Sequence, residues 1–368
     1  MVSSTGAPPL VTVIVPTHDH ASTLDLAVTS VLRQTVGAIE VVIIGDGVGD
    51  DTRDVVSSLV SDHRVGFLDT AKSPSRAELV RHRVLCEART PYVCYLGDDD
   101  LMLPNHVEAT VERLQGVDFT HPLPAFIERD GSLGFHLTDI ADPRCVAWHS
   151  RPGHNAISLT GVGHRLDTYL TLPEGWREPP PGTWSDHYMW QQWFRLPSLR
   201  CSTGDQVTVL KFYAEARKDM AGAERRAELM DWFDKSTQPG FASILAADAG
   251  TALRCEAIRL SLDLDAVSDE VADARTSLEL LQAEFGAVQA EFGAVQAEFG
   301  AVQAEFNVVQ VELMAARDAS GTHAAEAEDA RTTARGLQVA LDAVRGTRTW
   351  RLHDWLARSS AFRWLAHR

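Results

Sequence analysis

Pro91-Tyr92-Val93-Cys94-Tyr95-Leu96-Gly97-Asp98-Asp99-Asp100-Leu101-Met102-Leu103-Pro104 is the stretch on which the reading of the chain turns. Its first part is a short apolar run rich in aromatic and β-branched residues, the pattern of a buried strand. The run stops at Gly97 and three consecutive aspartates. After Pro104, His106 to Leu114 has helical spacing. The acidic triplet therefore falls at the carboxyl end of a strand, where open α/β sheets bind their ligands. Three adjacent carboxylates repel one another unless a cation or hydrogen-bond donors compensate. Hard oxygen ligands of this kind suit Mg²⁺ or Mn²⁺. The plainer alternative is that Asp99 or Asp100 caps the helix that follows.

Upstream, strand and helix patterns alternate. Leu10 to Val15 is a β-prone run stopped by Pro16, and a helix with apolar Leu24, Ala27, Val28, Val31 and Leu32 follows the loop Thr17-His18-Asp19-His20. Ile39 to Ile44 is a second strand, broken at Gly45-Asp46-Gly47. A helix over Thr52 to Leu59, a short strand over Val65 to Leu68 and a helix over Ser75 to Ala88 lead into the acidic strand. Such alternation predicts a mostly parallel sheet with right-handed crossovers. No GxGxxG follows the first strand, which argues against a dinucleotide site.

The totals fit a globular α/β protein with an extension. At 368 residues, two regions are expected. A net charge of -17 disfavours nucleic acid as a partner. The five scattered cysteines contain no CxxC and read as thiols of a reducing compartment. Met1 to Pro9 has neither a basic region nor an apolar core, and no apolar run reaches a spanning length. The expectation is a cytoplasmic protein, with peripheral contact at the inner face of a membrane as its further possibility.

Val13-Ile14-Val15-Pro16-Thr17-His18-Asp19, Ser30-Val31-Leu32-Arg33-Gln34-Thr35, Ile44-Gly45-Asp46-Gly47, Arg81-His82 and Leu96-Gly97-Asp98-Asp99-Asp100 together resemble the family 2 glycosyltransferases, over about residues 10 to 220. The resemblance implies a GT-A fold, a nucleotide-diphosphate sugar donor, a divalent cation (Mg or Mn) and an inverting reaction. It places Pro16, Thr17, Asp19, Asp46, Arg81 and Asp98 at the donor. Asp99 becomes the direct metal ligand, and Asp100 is either a second ligand or a helix cap. Three positions depart from the family pattern: Gly45, Gly97 and Ser185 stand where the family often has acids. Arg81-His82 falls where the family often has Arg-Asn.

The half after residue 117 is expected to hold a glycan or lipid-linked acceptor. A strand is read over Val117 to His121, a turn at Asp130-Gly131, and a helix from Ser185 to Phe194 after a Pro/Gly-rich loop. Asp186 either caps that helix or, at the position the resemblance gives to the catalytic base, accepts the acceptor's proton. Trp176, Trp184, Trp190 and Trp193 are core or sugar-stacking rings. His164 is a core histidine or an accessory contact.

Val207 to Phe212 closes this region as a strand, followed by a charged helix over Ala214 to Trp232 and a break at Pro239-Gly240. The unit Glu-Phe-Gly-Ala-Val-Gln-Ala then repeats from Glu284, so Phe285, Phe292, Phe299 and Phe306 alternate with Val288, Val295, Val302 and Val309. Spacings of three and four define a heptad and predict a left-handed coiled coil. Gly286, Gly293 and Gly300 each weaken the helix by about 1 kcal/mol relative to Ala. The resulting layout is a disordered 1–9, a GT-A domain over 10–235, a helical connector over 236–264, a coiled coil over 265–318, a helical linker over 319–345 and a basic, aromatic tail over 346–368. The coil predicts a homo-oligomer. The tail reads either as an interfacial helix on anionic lipid or as a cap on the first domain. The functional alternative to an enzyme is an inactive glycosyltransferase-like scaffold that assembles partners through the coil.

Overall fold

The computed structural model describes residues 8–123, 125–318, 324–347 and 351. Two compact units are present, Met1–Ser261 and Leu262–Arg368. The first unit begins with β1 (Val11–Thr17), α1 (Ala21–Leu32), β2 (Ile39–Asp46), α2 (Asp50–Leu59), β3 (Val65–Thr70), α3 (Glu78–Glu87) and β4 (Tyr92–Tyr95). After the acidic triplet come β5 (Leu101–Met102), α4 (His106–Leu114), β6 (Phe119–His121), β7 (Ala125–Ile127), β8 (Leu133–Gly134) and α5 (Pro143–His149). It continues through β9 (Gly163–Arg165), α6 (Leu166–Tyr169), α7 (Ser185–Phe194), β10 (Cys201–Thr203), β11 (Val209–Lys211) and α8 (Gly222–Ser236). α9 (Phe241–Asp318) starts in this unit, and α10 (Ala324–Arg345) belongs to the second.

The main sheet has seven strands in the order β10-β6-β9-β4-β1-β2-β3. β4, β1, β2 and β3 are parallel neighbours, and β9 runs antiparallel to both β4 and β6. Helices cover both faces, so the central strands are apolar throughout, as in other buried parallel sheets. The two-residue period of a strand sends alternate side chains to different cores. Val11, Val13 and Val15 join Leu24, Val28, Val41 and Ile43 on one face. Ile14, Ile44, Val93 and Tyr95 meet Trp176, Trp190 and Trp193 on the other. A four-stranded sheet, β5-β11-β7-β8, packs a third core with α8 and the first turns of α9, where Leu245 and Ala249 are buried. The segment read as a connector over 236–264 thus contributes to this core.

The chain passes from β3 back across β1 to β4, so the sheet order reverses between β1 and β4. Ligands of open α/β sheets bind at such a switch point, beyond the carboxyl ends of the strands. Register sets Thr17 beside Gly45, and Leu96 N–H donates to Ile14 O at 3.1 Å, which brings the ends of β1, β2 and β4 together.

In the second unit α9 carries the Phe/Val heptad. Phe292, Val295, Phe299, Val302, Phe306, Val309 and Leu313 are half-buried. α10 has a matching stripe of Ala327, Ala330, Ala334, Leu337, Leu341 and Val344, of which Leu341 is buried. The guanidinium of Arg345 lies 5.6 Å over the Phe299 ring. The later heptads therefore pack within the chain. Leu278, Leu281 and Val288 are exposed. Among the described residues no helix is long and apolar enough to cross a membrane. The stretch 1–9 lies outside the described residues up to residue 7, and the basic tail lies outside them apart from residues 346, 347 and 351.

Candidate active site

The acidic triplet follows β4 as a tight turn beyond the sheet. Its three carboxylates have different surroundings. Asp100 is fully buried and saturated by the protein: its Oδ1 accepts Phe212 N–H at 2.7 Å, and its Oδ2 accepts from Lys211 Nζ at 3.2 Å and from the Thr160 hydroxyl. It anchors β11 to the turn. Asp98 and Asp99 instead face His20, in the loop between β1 and α1. His20 Nδ1 is 2.8 Å from Asp98 Oδ1 and 3.9 Å from Asp99 Oδ2. One ligand atom from each of His20, Asp98 and Asp99 lies within 4.8 Å of the others.

Electrostatics separate these groups further. Burial and the carboxylates of Asp100 and Asp98 push Asp99's carboxyl up to about 7, against the pull of His20 and Lys211. His20 is raised, chiefly by its bond to Asp98, which outweighs its burial. Asp99 already has one cationic partner, Arg225, which donates to its Oδ2 at 2.7 Å; the crowding of three carboxylates is what a divalent cation would relieve further. Two carboxylates and one imidazole can hold a divalent ion, and the imidazole favours Mn²⁺ over the oxygen-seeking Mg²⁺.

The sequence-marked donor residues lie at the ends of β1 and β2, in the loop after β1 and on α3. Thr17 is buried at the end of β1, and its hydroxyl finds no hydrogen-bond partner among the described residues. Pro16 precedes it in β1, and Asp19 is exposed in the loop, 3.2 Å from His18. Asp46 ends β2, but its carboxylate is occupied by the segment after β3. Its Oδ1 accepts Ser73 N–H at 2.6 Å, and its Oδ2 accepts from Lys72 Nζ at 2.6 Å and the Ser73 hydroxyl at 3.0 Å. Burial opposes its ionisation, yet these donors hold its carboxyl below the usual range. Arg81, on α3, is buried with its guanidinium 4.1 Å over the Trp176 ring, and its Nε finds no partner among the described residues.

Asp186 lies in the first turn of α7, where its Oδ1 accepts the N–H of His187 at 2.7 Å. Burial pushes its carboxyl up, while Lys211, Arg81 and Arg76 pull it back. Lys211 is bonded to Asp100, and its charge is felt most by Asp100, then Asp99, and least by Asp186. Trp184, next to it, is 58% exposed, whereas Trp176, Trp190 and Trp193 are wholly buried core. His164 is also core: its Nε2 meets Tyr95 Oη at 2.8 Å, and burial lowers its pKa to about 4.

The three glycine and serine departures have steric and electrostatic explanations. A Cβ at Gly97 would stand 2.7 Å from Asp100 Oδ2, and one at Gly45 would stand 2.9 Å from the Phe67 ring. Beside Ser185 stands Glu78, buried on α3, whose carboxylate accepts from Ser75 Oγ and Arg76 N. Glu78, His20, Lys211 and Arg225, which donates to Asp99, were not marked by the sequence. His20 sat in a legible loop; the others act across long sequence separations and carry no local signal.

The first unit is thus a mostly parallel α/β sheet flanked by helices, with acidic residues beyond its central strands, and a helical extension follows it. Residues 12–153 match the sequence profile described as Glycosyl transferase family 2. Over these residues, less than half of its length, the chain is similar to that family. Validoxylamine A glucosyltransferase of Streptomyces hygroscopicus subsp. jinggangensis is 30% identical over 39% of this chain and 32% of its own length. The UDP-Glc:alpha-D-GlcNAc-diphosphoundecaprenol beta-1,3-glucosyltransferase WfgD of Escherichia coli is 29% identical over 28% of this chain and 41% of its own. Among solved structures, a mannosyltransferase of Pyrobaculum calidifontis in complex with GDP-Man and Mn²⁺ aligns at 15% identity and a TM-score of 0.41, over 67% of this chain and 81% of that one. The chain spans from 32% to 58% of the length of the curated relatives it matches first.

Proposed function

We propose that this chain is an inverting glycosyltransferase that moves a sugar from a nucleotide-diphosphate donor to a hydroxyl of a glycan or lipid-linked acceptor, in cell-envelope or surface glycan synthesis. The observation that carries the proposal is the His20/Asp98/Asp99 group beyond the central strands, fitted to a divalent cation, with the half-buried carboxylate of Asp186 at the start of α7 beside it in support. The diphosphoundecaprenol acceptor in the E. coli relative's name supports a lipid-linked acceptor.

In this reading His20, Asp98 and Asp99 hold the cation, with Asp98 also turned to the donor. The cation supplies charge neutralisation of the leaving diphosphate. Thr17, Arg81 and the segment held by Asp46 bind the nucleotide end. Asp186 takes the acceptor hydroxyl's proton as its oxygen attacks the anomeric carbon, and in-line displacement inverts that centre. Trp184 offers an exposed ring face to a sugar. Self-association through the earlier heptads of α9 and a peripheral place on the inner face of a membrane complete the proposal.

The test is hydrolysis of a panel of UDP- and GDP-sugars by the full chain with Mn²⁺ and no acceptor, alongside thermal shift. Wild type should release sugar from at least one donor, and Asp99→Ala should release none while remaining folded. A chain neither stabilised nor active with any of them would favour the assembly scaffold instead.

A further inference from the structure

Arg225, on α8, occupies the acidic turn from a part of the sequence that carries no motif. Its Nη2 donates to Asp99 Oδ2 at 2.7 Å, and the two side chains are only 14% and 12% exposed. This is the same carboxylate oxygen that faces His20. The small cavity beside it is lined by Thr23, Asp99, Phe212, Arg217, Arg225 and Glu228. Helix α8 itself is firmly held. Arg226 makes two bonds to Asp25, at 2.6 and 2.8 Å, and one to Ser22 O, while Arg217 pairs with Glu228. A change of partner by Arg225 therefore requires movement of one long side chain, not of the helix.

Two cations cannot share Asp99 Oδ2 without repulsion, and the repulsion is strong because the site is largely screened from water. A guanidinium released there is adjacent to the place proposed for the donor's diphosphate, and its planar fork matches phosphate oxygens. We propose that Arg225 is an exchangeable counter-ion of the donor site. In the free protein it neutralises Asp99; on loading with a divalent cation it gives up Asp99 and pairs with the diphosphate. This rests on the reading of Asp99 as a metal ligand. It makes cation and diphosphate binding mutually dependent: each alone meets a site already satisfied, whereas both together satisfy Asp99 and Arg225 at once.

The experiment measures by equilibrium dialysis the Mn²⁺ held by the full-length chain, with and without inorganic pyrophosphate, and subtracts the Mn²⁺ that pyrophosphate chelates in protein-free solution. In the wild type, pyrophosphate should tighten Mn²⁺ binding at least tenfold. Arg225→Gln should bind Mn²⁺ alone several-fold more tightly than wild type and lose most of the pyrophosphate effect. Arg225→Lys, which keeps the charge but not the fork, should retain part of it. Equal Mn²⁺ affinity with and without pyrophosphate in the wild type would overturn the proposal, and that arm needs no variant to fold. So would an Arg225→Gln protein with wild-type Mn²⁺ affinity or an intact pyrophosphate effect. Asp99→Ala separates the two layers: if it binds Mn²⁺ like wild type, the metal reading fails, whatever Arg225 does.

Discussion

Lys211 Nζ lies 3.2 Å from Asp100 Oδ2, and Asp100 has no exposed surface. The pair joins β11 to the turn after β4, with Phe212 N–H and Thr160 completing Asp100. Adjacent aspartates should therefore fail differently. Asp100→Ala leaves Lys211 without its partner in a mostly buried place and should destabilise the domain by about 3 to 5 kcal/mol. Asp99→Ala strands Arg225 but removes a carboxylate whose ionisation burial and its neighbours already oppose, so it should cost less stability than Asp100→Ala while losing Mn²⁺-dependent nucleotide binding. Equal midpoints for the two variants would contradict the division.

Asp186 should govern the acid limb of the rate profile. Burial raises its carboxyl, so the ionised form needed to accept a proton prevails only above the ordinary carboxylate range. Turnover should rise with pH through that ionisation. Asp186→Asn keeps the shape and should lower turnover by about two to four orders of magnitude and abolish the limb, with donor binding unchanged. Wild-type turnover in this variant would return Asp186 to a helix-start role.

Asp46 should act through the segment it holds. With three donors from Lys72 and Ser73 on its oxygens, Asp46→Ala should speed amide exchange over residues 71–77 and weaken nucleotide binding together. Weakened binding with unchanged exchange would mean that Asp46 touches the nucleotide directly.

Acid should destabilise the first unit before its ordinary surface carboxylates are protonated. Burial holds His106 and His121 at about 3 and His164 at about 4, whereas an unfolded histidine titrates near 6.5. Below that pH the unfolded chain binds protons that the folded chain refuses, so stability present above it is lost as pH falls. The three together give a slope of about 4 kcal/mol per pH unit at most, between roughly 6 and 4. Urea midpoints flat between pH 7 and 5 would rule this out.

The earlier heptads of α9 should drive self-association. Leu278→Lys with Leu281→Lys, both at exposed positions, should lower the mass seen by light scattering at micromolar concentration. A wild-type chain already monomeric there would end the expectation. Leu341→Asp should instead loosen the α9 and α10 pair, seen as lost helicity on mild heating.

Much of the first unit was legible because burial on both faces makes strands such as Val11–Thr17 continuous apolar runs, and because Pro/Gly loops bracket helices such as Ser185–Phe194. The acidic turn was legible as a site because three adjacent carboxylates have few structural uses. Less legible was which carboxylate does what. The distinction between Asp99 and Asp100 depends on Lys211, Phe212 and Arg225, all more than 100 residues away. The long helix was read as two pieces, yet Thr251 to Phe285 contains no Gly or Pro to break it. The pairing of its later heptads with α10 was hidden because α10's stripe is half alanine, a weak apolar signal.

The close approach of Gly97 to Asp100, and of Gly45 to Phe67, bears on what an acid placed at either position would meet. Neither glycine is a blank position into which an acid can be written. At each, a neighbour stands in the space that a side chain would need, and Asp100 is itself held by Lys211 and Phe212 N–H. A single substitution to aspartate meets an occupied volume before it offers a ligand. An acid at either position would have to displace a packed neighbour, so neither Gly97→Asp nor Gly45→Asp alone would add a free carboxylate to the site.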